Sequence, residues 1–129
     1  GAVIVTTPLD VALSDARKGV TLFRKTSTPI LGIVENMSYF VAPDTGKRYD
    51  IFRHGGGQAA AEQLGVPFLG EIPIDLTICE GGDAGIPASS PESDSPQKQA
   101  LFDLSREVAK RISIQNLSQT ETQTIIESN

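Results

Sequence analysis

The sequence is poor in the residues that mark chemistry by type alone. One cysteine, Cys79, and one histidine, His54, stand among 129 residues. An internal disulfide is thereby excluded, as is any zinc site built from cysteine and histidine alone within one chain. So little cysteine fits a reducing compartment. Tryptophan is absent, and two tyrosines and five phenylalanines are the only aromatics, so the core is lean in large residues. No apolar run approaches the roughly 20 residues that span a bilayer. Basic residues are outnumbered 11 to 16, giving a formal charge of -5. Non-specific binding to nucleic acid or to an anionic membrane needs a basic footprint that this balance does not provide. The expectation is a cytoplasmic chain with neither of those partners.

What is present alternates between strand and helix. Gly1 leads at once into Ala2-Val3-Ile4-Val5-Thr6-Thr7, apolar on both faces like a strand buried in a parallel sheet. Opening on such a strand reads as a trimmed terminus or as a chain that begins within a domain. Pro8 punctuates, and Asp10 is a candidate cap for a helix striped by Leu13, Ala16, Val20 and Phe23. Ile30–Val34 is a second apolar run. Tyr39–Phe52 reads as a small hairpin around Pro43-Asp44-Thr45-Gly46. Gly55-Gly56-Gly57 opens an alanine-rich helix that Gly65 closes, and Phe68–Ile72 is the third strand. Residues 76–94, with Gly81, Gly82, Gly85, Pro87 and Pro91, read as a long surface loop. Ser95-Pro96 starts a last helix striped by Leu101, Leu104, Val108 and Ile112. From Ser113 onward 17 residues carry two acids and no base, which predicts a disordered polar tail over 113–129. The expected fold class is α/β: a partial doubly wound, mainly parallel sheet with flanking helices and a hairpin excursion at about 39–52.

Three look-alikes of phosphate loops fail on inspection. Gly19–Thr26 has the length of a P-loop, but Arg24 occupies the second glycine position and the segment lies within a helix. Gly46-Lys47 is followed by Arg48, so no hydroxyl is offered to magnesium. Gly55-Gly56-Gly57-Gln58-Ala59-Ala60 fits G-x-G-x-x-A at a helix start, but follows a hairpin arm. No G-x-S-x-G elbow is present. His54 falls in a turn, and Cys79 has no basic cluster beside it to activate the thiol. Asn36 holds the more informative position. It lies just past the carboxyl end of an apolar strand, where doubly wound sheets bind ligands, and a carboxamide can both donate to and accept from a base edge.

Several blocks, read in order, are distinctive: Gly1–Pro8, Asp10–Leu13, Asp15–Gly19, Leu31–Phe40, Ile51-Phe52, Gly65–Pro73 and Glu80–Pro87. Together they closely resemble the C-terminal half of the Mrp (ApbC-like) proteins, MinD/ParA-type deviant P-loop ATPases that carry or scaffold iron–sulfur clusters. The match covers 1–112. The resemblance implies that the phosphate loop, switch segments and Walker B aspartate belong to a part of the domain N-terminal to the equivalent of Gly1. It implies an adenine contact at Asn36 and, from the loop after the later strand, at Pro73, Ile74 and Asp75. For the complete protein it implies ATP with Mg2+, a homodimer and iron–sulfur client proteins.

The sequence also departs from the family pattern. Many members carry C-P-x-C after the Tyr-Phe pair, and here those positions are Ala42, Pro43, Asp44 and Thr45. Neither end has a sulfur, so a cluster, unlike ATP, does not follow from the resemblance. Leu9 stands for a usual glutamine, Arg53 for a glycine and Cys79 for an arginine. The leading expectation is the C-terminal portion of an Mrp-like cluster carrier. The alternative is a standalone non-catalytic binding or regulatory domain on the same scaffold.

Overall fold

A computed structural model describes residues 1–75, 77–91, 93, 95 and 97–127; at 77, 79 and 119–127 it describes the backbone only. The elements run β1 (Ala2–Thr6), α1 (Asp10–Lys25), β2 (Ile30–Val41), β3 (Arg48–Tyr49), α2 (Gly56–Leu64), β4 (Phe68–Ile74), α3 (Thr77–Asp83) and α4 (Gln97–Glu127). β2 is the middle strand. It pairs in parallel with β1 on one side and with β4 on the other. Pairing with β1 ends at Thr6↔Glu35, and β3 then takes up that side of β2 in antiparallel register, Phe40 against Tyr49 and Val41 against Arg48. The expected hairpin excursion is therefore an outgrowth of the central strand.

Strand alternation sends neighbouring side chains to opposite faces, and each face has its own core. Ile4 and Ile33 meet Ala16 and Val20 of α1 and Ala61 of α2. Val34, Leu69 and Ile72 meet Leu101, Leu104 and Val108 of α4. Helices thus cover both faces of a mainly parallel sheet, the α/β layering the alternation predicts. Among the described residues no helix is long and apolar enough to cross a membrane.

Helix ends follow local chemistry. Gly65 adopts the left-handed conformation (φ 62°), its N–H bonds Glu62 O, and the Val66 N–H bonds Ala61 O. That pair of bonds closes α2 as expected of a terminal glycine. Asp10 does not cap α1 as expected. Leu9 occupies the cap position with no side-chain bond, and the Asp10 carboxylate instead reaches Arg53 at 2.7 Å. Ser95 does cap α4: its Oγ accepts the Gln97 N–H at 3.1 Å. Pro96, the other half of that signal, lies outside the described residues.

Three segments differ from the sequence reading. The second strand does not stop at Val34 but continues to Val41, because β4 and then β3 go on offering backbone partners. Thr77–Asp83 is a short helix within the expected loop. Gly85 at φ 73° ends it, with Gly85 N–H on Gly82 O and Ile86 N–H on Gly81 O. Residues 113–127, where a disordered tail is expected, continue α4 to Glu127. A helix closes its own backbone bonds within the segment, so a polar sequence can form one without a core to pack against. The last two residues of the chain lie outside the described part.

Candidate functional site

The carboxyl end of β4 lies beside the second half of β2, and the register sets Asn36, in the middle of β2, one pair before Pro73, Ile74 and Asp75. Asn36 pairs with Ile72, and the ladder resumes only at Phe40↔Ile74. Four steps along β2 match two along β4, so residues 37–39 bulge out of the sheet. Met37 sits at φ 56° and is 46% exposed. Half-buried Asn36 stands at the start of the bulge, and its Oδ1 accepts the Met37 N–H at 2.9 Å. It lies within a bulged strand and not beyond a finished one.

Residues 73–75 are fastened from the other side. The Gln97 carboxamide donates to the Pro73 carbonyl, and the Ser95 hydroxyl donates to the Asp75 carboxylate. Ser95 and Gln97 are 7% and 6% exposed, so both bonds are made away from water, where an unmet polar group is costly. Pro73 and Ile74 also line an apolar cleft of about 300 Å³ with Tyr39, Val41 and Pro43. Asn36 and Asp75 flank this end of the sheet without lining that cleft. Neither Ser95 nor Gln97 carries a sequence signal for this role beyond the cap. Their partners lie on another element.

A second polar group gathers on the α2 side of the sheet. Glu35 is fully buried; Oε1 accepts the Ser38 hydroxyl and Oε2 accepts the Gly57 N–H, both at 2.5 Å. The glycine-rich start of α2 is therefore filled by the protein's own carboxylate, which answers the phosphate look-alike at Gly55–Ala60. Arg48 stacks on the Tyr39 ring at 3.9 Å, bonds Asp50 through Nε at 3.0 Å, and reaches His54 Nδ1 at 2.9 Å and Glu71 at 3.6 Å. The bond to Asp50, more than the nearby Glu71 charge, holds its guanidinium above the ordinary value. His54 is thus fixed in a network, although half-exposed.

Ala42, Pro43, Asp44 and Thr45 form the hairpin tip. The Ala42 carbonyl accepts the Gly46 N–H at 2.8 Å, and Thr45 Oγ1 accepts the Lys47 N–H at 3.3 Å. No sulfur is placed there. Cys79 belongs to α3, and its side chain lies outside the described residues.

Residues 1–109 match the ParA family model described as NUBPL iron-transfer P-loop NTPase. An iron-sulfur cluster carrier protein of Deinococcus radiodurans is 53% identical over 123 residues, which is 95% of this chain and 35% of that protein. The iron-sulfur cluster transfer protein NUBPL of Dictyostelium discoideum is 47% identical over 116 residues, 90% of this chain and 36% of that one. The chain spans about a third of the length of these relatives. Among solved structures, a nucleotide-binding protein of Archaeoglobus fulgidus in complex with ADP is 40% identical, with a TM-score of 0.58, covering 66% of this chain and 35% of that one. The septum site-determining protein MinD of Pyrococcus horikoshii, complexed with Mg-ADP, is 29% identical with a TM-score of 0.62, covering 88% and 44%.

Proposed function

This chain belongs to the NUBPL iron-transfer family of ParA-type P-loop NTPases, and we propose that it supplies the adenine side of the nucleotide site of an iron–sulfur cluster carrier. The observation that carries this reading is the register that pairs Asn36 with Ile72, one residue before the pinned segment 73–75, where β2 bulges beside the carboxyl end of β4. Open α/β sheets bind ligands at that end. The residues fit a base. Asn36 gives its oxygen to Met37, which leaves its amino group as the donor a purine nitrogen would meet. Pro73 and Ile74 offer apolar surface for a ring, and Gln97 and Ser95 fix the backbone that carries them. When bound, ATP with Mg2+ would supply the energy of phosphoryl transfer. Residues 1–129 contain no complete P-loop to cradle its phosphates.

The cluster is cargo in this scheme, held by a homodimer of the complete protein and passed to iron–sulfur clients. Ala42 and Thr45 cannot ligate it. That substitution favours, as a second reading, a binding or regulatory domain that keeps the scaffold without the cargo ligands.

The test is Asn36→Ala in the complete protein. ATP binding should weaken by about 1–3 kcal/mol, the cost of leaving buried polar partners unpaired, and preference over GTP should fall with it. Wild-type affinity together with a wild-type ATP/GTP ratio would remove the adenine assignment.

A further inference from the structure

Three metal-ligating side chains from three elements converge at the root of the hairpin, on the α2 side of the sheet. Glu35 of β2, His54 of the loop before α2 and Glu71 of β4 each place one donor atom within 4.8 Å of the others. The group asks for positive charge. Glu35 is 0% exposed, and the Ser38 hydroxyl and the Gly57 N–H that it accepts are neutral donors. A buried carboxylate is costly unless a cation accompanies it, and the N-terminal dipole of α2 meets only part of that need. The other two members already attract a cation: Arg48 Nη2 lies 2.9 Å from His54 Nδ1 and 3.6 Å from Glu71 Oε2.

We propose that Glu35, His54 and Glu71 bind a divalent first-row transition ion that displaces the Arg48 guanidinium from His54 and Glu71. His54 Nδ1 and Glu71 Oε1 are 3.5 Å apart. Neighbouring ligands at about 2.1 Å from a tetrahedral ion are spaced by about 3.4 Å, so this pair is already set. A carboxylate oxygen has two lone pairs, so Glu35 can ligate while keeping Ser38 or Gly57. The displaced Arg48 retains Asp50 at 3.0 Å and the Tyr39 ring. One imidazole and two carboxylates, without sulfur, suit Zn2+, Fe2+ or Mn2+ and not Cu+. His54 and Glu71 also line an open cleft of about 680 Å³, which gives an ion its path and leaves room for water as further ligands. The site is separate from the sulfur-free hairpin tip, and although Glu35 and Glu71 are next to Asn36 and Ile72 in the ladder, strand alternation puts the two pairs on opposite faces of the sheet.

The experiment titrates the metal-stripped 129-residue chain with Zn2+, and separately with Mn2+, by calorimetry, with metal content measured after desalting and the His54 ring followed by NMR. One equivalent of Zn2+ should bind with a Kd of about 1 μM or tighter, shifting the ring signals. His54→Ala and Glu71→Gln, each shown folded by circular dichroism, should weaken binding at least tenfold. Arg48→Gln should strengthen it several-fold, because the competing cation is gone; a merely structural network would lose order instead. Cys79→Ser should change nothing. No binding at about 100 μM, affinity unchanged in His54→Ala, weaker binding in Arg48→Gln, or loss in Cys79→Ser would each overturn the proposal.

Discussion

Glu35 and Gly57, 22 residues apart in sequence, fit together with no space between them. The Glu35 carboxylate accepts the Gly57 N–H, and a Cβ built on Gly57 would lie 2.9 Å from both Cβ and Oε2 of Glu35. The carboxylate does for α2 what a side-chain cap does elsewhere, since Gly55 at the cap position has no side chain to offer.

Gly57→Ala should therefore destabilise the fold. Alanine gains up to about 1 kcal/mol in helix propensity, but overpacking against a buried side chain that cannot swing away costs about 1–3 kcal/mol. The net loss, up to about 2 kcal/mol, should appear as a lower urea midpoint with an unchanged slope. A midpoint at or above wild type would show that Glu35 has room to yield.

The end of α4 should be dispensable. The apolar stripe that joins the core ends at Val108, and Ile114 and Leu117 are exposed at 47% and 67%. Removing 113–129 deletes helix that contributes no core contact among the described residues. The melting temperature should stay within about 2 °C, whereas a lost contact of 1 kcal/mol would lower it by about 2–8 °C in a chain of this size. A drop of that order would mean that the segment docks.

Reconstitution with iron and sulfide should leave the chain nearly colourless. A four-iron cluster shared across a two-fold dimer needs four thiolates, and Ala42 and Thr45 supply none. Cys79 gives a symmetric dimer two at most. Anaerobic spectra should show no stable band near about 400 nm, where such clusters absorb. A stoichiometric band abolished by Cys79→Ser would identify that cysteine as a ligand.

The layering of the fold was legible because it rests on local periodicity: Leu13, Ala16 and Val20 face the sheet as their spacing requires. Asn36 reads as lying past a strand because the apolar run stops at Val34, but polar residues go on pairing with β4 and carry β2 to Val41. Glu35 was not legible, since its partners Ser38 and Gly57 leave no periodic trace. Arg48, His54 and Glu71 meet only because β3 and β4 flank β2, a matter of topology that no spacing encodes. The helix at Thr77–Asp83 was hidden by Gly81 and Gly82, which lower helix propensity, while its actual stop lies at Gly85.

Mechanically, β2 is a single continuous rod. Asn36 stands near its middle and Ala42 just past its tip, about 20 Å of continuous backbone apart at about 3.3 Å per residue. The bulge at 37–39 is the one compliant joint on that span, since both neighbouring ladders are interrupted or just beginning there. Between Asn36 and the hairpin the chain is therefore one strand with a single interrupted stretch of pairing, at Met37–Tyr39. Ser38 is anchored to Glu35 and Met37 is not buried, so the joint has one fixed side and one free side.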